Sequence, residues 1–283
     1  MGLLSGLGSL GLDKLENAEI YESEEVKEKK EAKPEVKSVE IKEEDVLFDK
    51  KCECPVCAKS FTYRTVRSGK LKLVGQDADL RPKYDLFDPA KYDVVVCTNC
   101  GYAVLAKYLQ PLAEAHIKLL KEGICGKVRG VESKPVYDYD DAIKRYQLAL
   151  ASAIVKRAKD SEKAYICLKL AWVIRGKKET LSEDTPEYDA IITQLRADEN
   201  EALKSAFDGF IAARQKETFP MAGMDELTVD YLLAVLSSRF GHYDIAQKLI
   251  ATILTSKVAN NRIKDKAREL KEQVKIDMSM AGK

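Results

Sequence analysis

The chain has 283 residues and a mass of 31.7 kDa, long enough for one or two domains. Its 45% hydrophobic and 33% charged residues allow a core beneath a very polar surface. Lys+Arg at 47 against Asp+Glu at 46 leaves a formal net charge of +1, which argues against a chain-wide polyanion binder and leaves only local patches. No run approaches the ~18 apolar residues of a transmembrane helix, and Met1–Leu12 lacks the basic start and small-residue cleavage site of a signal peptide. A cytoplasmic protein without a membrane span is expected. The seven cysteines, an odd number, suit a reducing compartment better than a disulfide framework.

Residues 1–15 place Leu3, Leu7 and Leu10 at helix-like spacing, but Gly2, Gly6, Gly8 and Gly11 weaken any helix. They read as an apolar arm. Gly6 also occupies the position where a myristoylation pattern needs Ser or Thr. Residues 16–45 read as a charged, disordered linker. From Glu22 to Asp45 ten acids face six lysines, and the few aliphatics bury too little area to offset chain entropy.

Residues 46–102 read as a small β module. Phe61, Tyr63 and Thr65 alternate with polar residues, Ser68-Gly69 offers a turn, and Leu71 and Leu73 alternate again, which predicts a hairpin. Asp93–Val96 predicts a third strand, and 75–92, with Pro82 and Pro89, predicts a loop. Asp77, Asp79, Asp85, Asp88 and Asp93 match no Ca²⁺ loop and read as turn-forming carboxylates.

Two Cys-x-x-Cys pairs frame this module: Cys54/Cys57 before the hairpin and Cys97/Cys100 after the third strand. Two thiolates at i, i+3 on a tight turn grip one face of a tetrahedral ion, and two such turns close a Cys₄ zinc site. The spacing therefore predicts Cys54, Cys57, Cys97 and Cys100 as ligands of one structural Zn²⁺ in a zinc-ribbon-like arrangement. A redox Cys-x-x-Cys would need a βαβ context that is absent here. Cys52 reads as a bystander, and Cys125 and Cys167 as small buried hydrophobes.

Residues 103–276 switch to helical period, with 277–283 as a flexible tail. Helices are predicted over 103–122, 138–159, 161–175 stopped by Gly176, 186–217, 225–240, 244–256 and 261–276. The expected pairs are 103–122 with 138–159, 161–175 with 186–217 and 225–240 with 244–256, with 261–276 closing the array. Phe240-Gly241-His242-Tyr243-Asp244-Ile245-Ala246 is similar to the turn of a tetratricopeptide helix pair, and Asp138–Ala149 echoes it. The fold class is thus α+β, mostly α: a zinc-ribbon-like β module followed by a tetratricopeptide-like helical array.

His116 and His242 lie in no catalytic spacing, and no Gly-rich phosphate loop or nucleophile motif occurs. The sequence reads as that of a non-enzyme. Cys54 to Gln76 carries Lys59, Arg64, Arg67, Lys70 and Lys72 with no acid, beside Phe61 and Tyr63. Such a surface can bind nucleic acid, but the reading preferred here is a solvated sheet face whose aromatics point into their own core.

Cys54-Pro55-x-Cys57, Asp79, Tyr84, Pro89-x-x-Tyr92-Asp93-Val94 and Cys97-x-x-Cys100-Gly101-Tyr102-Ala103 followed by helices resembles a bacterial family, domain of unknown function 2225, over roughly residues 46–275. The resemblance implies a metal-binding ribbon joined to tetratricopeptide-like helices, with the four cysteines as ligands and no established activity. Ala58 stands where the first knuckle of that family usually has Gly, and Thr98-Asn99 replaces the more usual Pro-containing second knuckle. The functional expectation is an adaptor whose helical part binds an unidentified protein or peptide; the alternative is a nucleic-acid-associated protein using hairpin 59–72.

Overall fold

A computed structural model describes residues 41–67, 69–128, 131–280 and 282; the expected apolar arm and most of the charged linker lie outside these residues. Residues 42–283 form one compact unit. Its order is three β-ribbons followed by seven α-helices: β1 (Leu47–Glu53), β2 (Ser60–Val66), β3 (Leu73–Gln76), β4 (Pro82–Tyr84), β5 (Val94–Val96), β6 (Ala103–Leu105), α1 (Glu114–Gly123), α2 (Tyr139–Val155), α3 (Asp160–Thr180), α4 (Tyr188–Lys216), α5 (Glu226–Arg239), α6 (Tyr243–Thr255) and α7 (Asn261–Met280). The chain is an α+β protein, mostly α.

The strand pairing differs from the expected hairpin. β2 pairs antiparallel with β1, from Leu47↔Val66 to Glu53↔Ser60, rather than with residues 71–73, which lead into the short β3–β4 ribbon. The turn of the first ribbon is Cys-x-x-Cys itself. The third ribbon repeats this design: β5 pairs with β6, Val94↔Leu105 to Val96↔Ala103, across the second Cys-x-x-Cys. Residues 103–105 are therefore strand, where a helix beginning at 103 was expected, and a boundary between 102 and 103 falls inside a ribbon. The first helix of that region is the short α1. Residues 75–92, expected as loop, also contain β4 and a 3₁₀ turn at Pro89–Tyr92.

The third ribbon is buried on both faces, which accounts for the unbroken Val94-Val95-Val96 run. Val94, Val96, Ala103 and Leu105 join a core with Ala142, Tyr146 and Ala149 of α2 and with α3–α5. Val95 and Val104 face the other way, into a second cluster containing Cys54, Cys97 and Leu120. One ribbon is thus a wall shared by two cores.

The helices follow their periodic residues and caps. The Asp138 carboxylate accepts from Asp141 N–H at 2.7 Å and starts α2; Asp225 accepts from Thr228 N–H at 2.8 Å and starts α5. α3 packs along α4 and also against α2, and α5 packs on α6 with α7 closing against both. The pairings expected for α3 with α4 and α5 with α6 are present; that of α1 with α2 is slight. Gly176 does not stop α3, which runs to Thr180. A Cβ there would lie 2.6 Å from the Tyr139 ring, so the glycine serves close packing. α7 extends to Met280, through part of the expected tail.

The second ribbon is tied to the helices by charge. Arg175 of α3 donates to Asp79 at 2.6 and 3.0 Å, to Asp77 at 3.0 Å and to Glu199 of α4 at 2.8 Å. Lys178 adds a bond to Glu199 at 2.6 Å. Burial pushes the Glu199 carboxyl up, but its bonds to Lys178 and Arg175 outweigh that and hold it below its ordinary value. Asp77 is lowered in the same way, with Lys83 and Arg175 overcoming its burial. Asp93 pairs with half-buried Lys169, and Asp88 with Arg81. Four of the aspartates expected to shape turns therefore anchor the β segment to cations. Asp88 also keeps the local role, accepting from Ala90 N–H at 2.9 Å, and Asp85 accepts from Lys72 N–H.

No helix among the described residues is long and apolar enough to cross a membrane.

Candidate metal centre

Each knuckle is built by the same backbone bonds. In the first, Ala58 N–H donates to Cys54 O at 2.9 Å and Cys54 N–H to Lys59 O at 3.0 Å. In the second, Gly101 N–H donates to Cys97 O and Cys97 N–H to Tyr102 O, both at 2.8 Å. The turn closes only if the residue after the second cysteine takes a left-handed conformation, and both do: φ is 57° at Ala58 and 84° at Gly101. Asn99 Nδ2–H donates to Ser60 O at 3.4 Å, linking the second knuckle to the first ribbon.

This brings together the four cysteines expected as ligands. Cys54, Cys57, Cys97 and Cys100 have sulfurs all within 4.8 Å of one another. Cys54 Sγ lies 3.7 Å from Cys100 Sγ, and Cys57 Sγ 3.7 Å from Cys97 Sγ. A tetrahedral ion with metal–sulfur bonds of about 2.3 Å needs sulfur–sulfur edges of about 3.8 Å. The spacing is that of four thiolates around one ion, contributed two from each ribbon. Three of the four are buried, and Cys57 is half-buried.

The surroundings suit negative sulfur. Cys54 accepts from Val56 N–H at 3.4 Å and from the Cys57 N–H; Cys97 receives the matching bonds from Asn99 and Cys100. The Cys54 thiol is pushed above its ordinary value by its bond to Cys100 and then by burial, and Cys97 chiefly by burial. Bringing these sulfurs together as thiolates requires a cation among them. The donor set and spacing can hold one metal ion.

Two other thiols lie close by. Cys52, opposite Phe61 on β1, borders a groove with Cys54, Pro55 and Leu112. Cys125, expected as a buried hydrophobe, is half-buried and packs beside the cluster, within hydrogen-bond reach of Cys100. It belongs to no spacing motif and arrives through the turn after α1, so nothing local in the sequence marks it. Cys167 lies in the helical core as expected. His242 stacks on Phe207 with centroids 5.5 Å apart; His116 lies apart from the metal cluster, on α1.

The basic hairpin has a different surface from a stacking platform. Phe61 and Tyr63 are buried in the metal-side core. Arg64 is bonded to Asp49 at 2.9 and 3.2 Å and to Pro135 O at 3.0 Å, and Arg67 lies over the Phe48 ring.

No curated protein and no solved structure gives a significant match to this sequence. Residues 47–274 match a family described as an uncharacterized protein conserved in bacteria, DUF2225, and the matched span runs from β1 through both knuckles to the last helix. The chain belongs to the DUF2225 family.

Proposed function

We propose that the protein is a non-enzymatic adaptor in which a structural Zn²⁺ staples two ribbons together and the helical part binds a protein segment. The zinc assignment is supported by the all-thiolate donor set, which favours a borderline-soft ion, and by the closed tetrahedral shell. Four protein ligands leave no coordination position for a substrate or activated water.

The observation that carries the adaptor reading is a groove across α2, α3 and α4. Ile143, Leu150, Leu170 and Ile174 form its apolar floor, and Asp198 and Glu201 stand on its rim. An apolar floor with an acidic rim suits a segment that presents aliphatic anchors flanked by Lys or Arg. The nucleic-acid reading has less support, because the hairpin aromatics are buried and Arg64 is engaged internally.

Elemental analysis of the purified protein is expected to give one zinc per chain. Selection from a displayed peptide library is expected to enrich aliphatic-basic sequences, with binding weakened at least about tenfold by Asp198→Lys with Glu201→Lys. A metal-free, ordered cluster would remove the zinc assignment. Library binding indifferent to the double substitution would remove the groove.

A further inference from the structure

A second cleft, of about 530 Å³, lies where the segment after β6, the end of α2, the start of α3 and residues 217–223 meet. Its size falls in the range of small-ligand sites. Its walls carry both signs of charge, yet the acids are already engaged. Glu162 pairs with Lys156 at 2.7 Å. Glu217 accepts from Ser161 N–H at 3.0 Å and from Ser161 Oγ–H at 2.5 Å. Both carboxylates are thus held by groups of this chain, Glu162 by a cation and Glu217 by neutral donors. The cations are not balanced in the same way: Arg157 and Lys159 line the cleft without an ion-pair partner among the described residues, and His116 lines it from α1.

Arg157 is also held in an unusual backbone state. It ends α2 with φ at 55°, its N–H bonded to Ile154 O at 3.0 Å and the next N–H, of Ala158, to Ala153 O at 2.8 Å. Helices that end this way ordinarily place glycine at that position, because a side chain there is strained. Ala222, which also lines the cleft, is left-handed as well, with φ at 48°, and its carbonyl accepts from Lys107 Nζ at 2.6 Å. Strained residues collected around one cavity are a feature of ligand clamps. At Arg157 the strain keeps a guanidinium where glycine would fold more easily.

We infer that this cleft binds a small oxyanion with more than one negative charge, gripped by Arg157 and Lys159. The planar guanidinium pairs with a phosphate or carboxylate through two parallel N–H bonds, and the lysine adds a second, mobile charge. The inference is independent of the metal centre and of the apolar groove on α2–α4.

The test is titration calorimetry of the full-length, metal-loaded chain with inorganic pyrophosphate and, separately, with citrate, in a low-salt buffer free of both. Saturable binding that weakens as salt is added is expected, and the tighter probe assigns the site to phosphate or to carboxylate chemistry. Arg157→Gly relieves the backbone strain while removing the guanidinium. It should raise the unfolding temperature of the ligand-free protein and weaken binding at least about tenfold. Lys159→Ala should weaken binding without changing stability. Absence of saturable binding to either probe, or equal affinity in wild type and both variants, overturns the inference.

Discussion

The two knuckles share backbone bonds, left-handed closing residue and ligand geometry, yet they sit in opposite surroundings. The first closes a ribbon whose β1 residues are mostly exposed, and Ala58 at its closing position faces solvent. The second closes a ribbon whose six strand residues are all buried, and Gly101 lies under Val128. Full burial of each Val or Leu contributes about 1.5–3 kcal/mol, so the helices hold the second ribbon in place with or without metal. The first ribbon has only Phe61, Tyr63 and a few neighbours to bury, and would gain far more from two bonds to a metal ion. The same grip on an ion would be structural support for one ribbon and an addition to the other.

Metal removal should break the comparison most visibly. Chelation, or Cys54→Ser, forfeits metal binding worth on the order of 10–16 kcal/mol in small zinc modules. Hydrogen exchange should then lose protection over residues 47–66 while 94–105 and the helices keep theirs. Equal loss in both ribbons would show that the helices do not support the second. A smaller effect is expected at Gly101→Ala. A Cβ there would lie 2.6 Å from Val128 Cβ, and the left-handed backbone adds strain, together costing about 2–4 kcal/mol. Denaturant midpoints would measure it. The least effect, with opposite sign, is expected at Ala58→Gly. Relief of about 1–2 kcal/mol of left-handed strain, offset by the added freedom of an unfolded glycine, leaves a net gain of about 0.5–1 kcal/mol. Its metal stoichiometry should be unchanged; a loss of stability would mean that Ala58 contributes a contact outweighing its strain.

Features encoded within a few residues were legible in the sequence. Cys-x-x-Cys is a local geometry, and both knuckles form where the spacing places them. The apolar periods of α2 to α7 likewise mark helices whose ends shift by a few residues. Partner choice among strands was not legible. Ser68-Gly69 is a good turn signal, but β2 pairs backward across Cys54–Lys59 because that knuckle is itself the tighter turn. Ala103-Val104-Leu105 fits either period, and only its pairing with Val94–Val96, buried on both sides, makes it strand. Gly176 carries the usual mark of a helix stop, yet its cause is the Tyr139 ring brought over it by α2. Of the groups near the two candidate sites, the place of Cys125 beside the cluster and that of Arg157 at the cleft were not legible, because they depend on neighbours distant in sequence or on a backbone angle.

The doubly buried third ribbon also imposes an order on biosynthesis. As the chain leaves the ribosome, the first knuckle emerges with half a coordination shell and must wait for Cys97 and Cys100. When these arrive, Val94, Val96, Ala103 and Leu105 still face water, because the α2 and α3 residues that cover them have yet to be made. Between those moments the nascent chain carries reactive thiols beside an uncovered aliphatic strand pair, a combination prone to oxidation and aggregation. Metal captured at the second knuckle would fasten the first ribbon early, and the helices would then seal the other face.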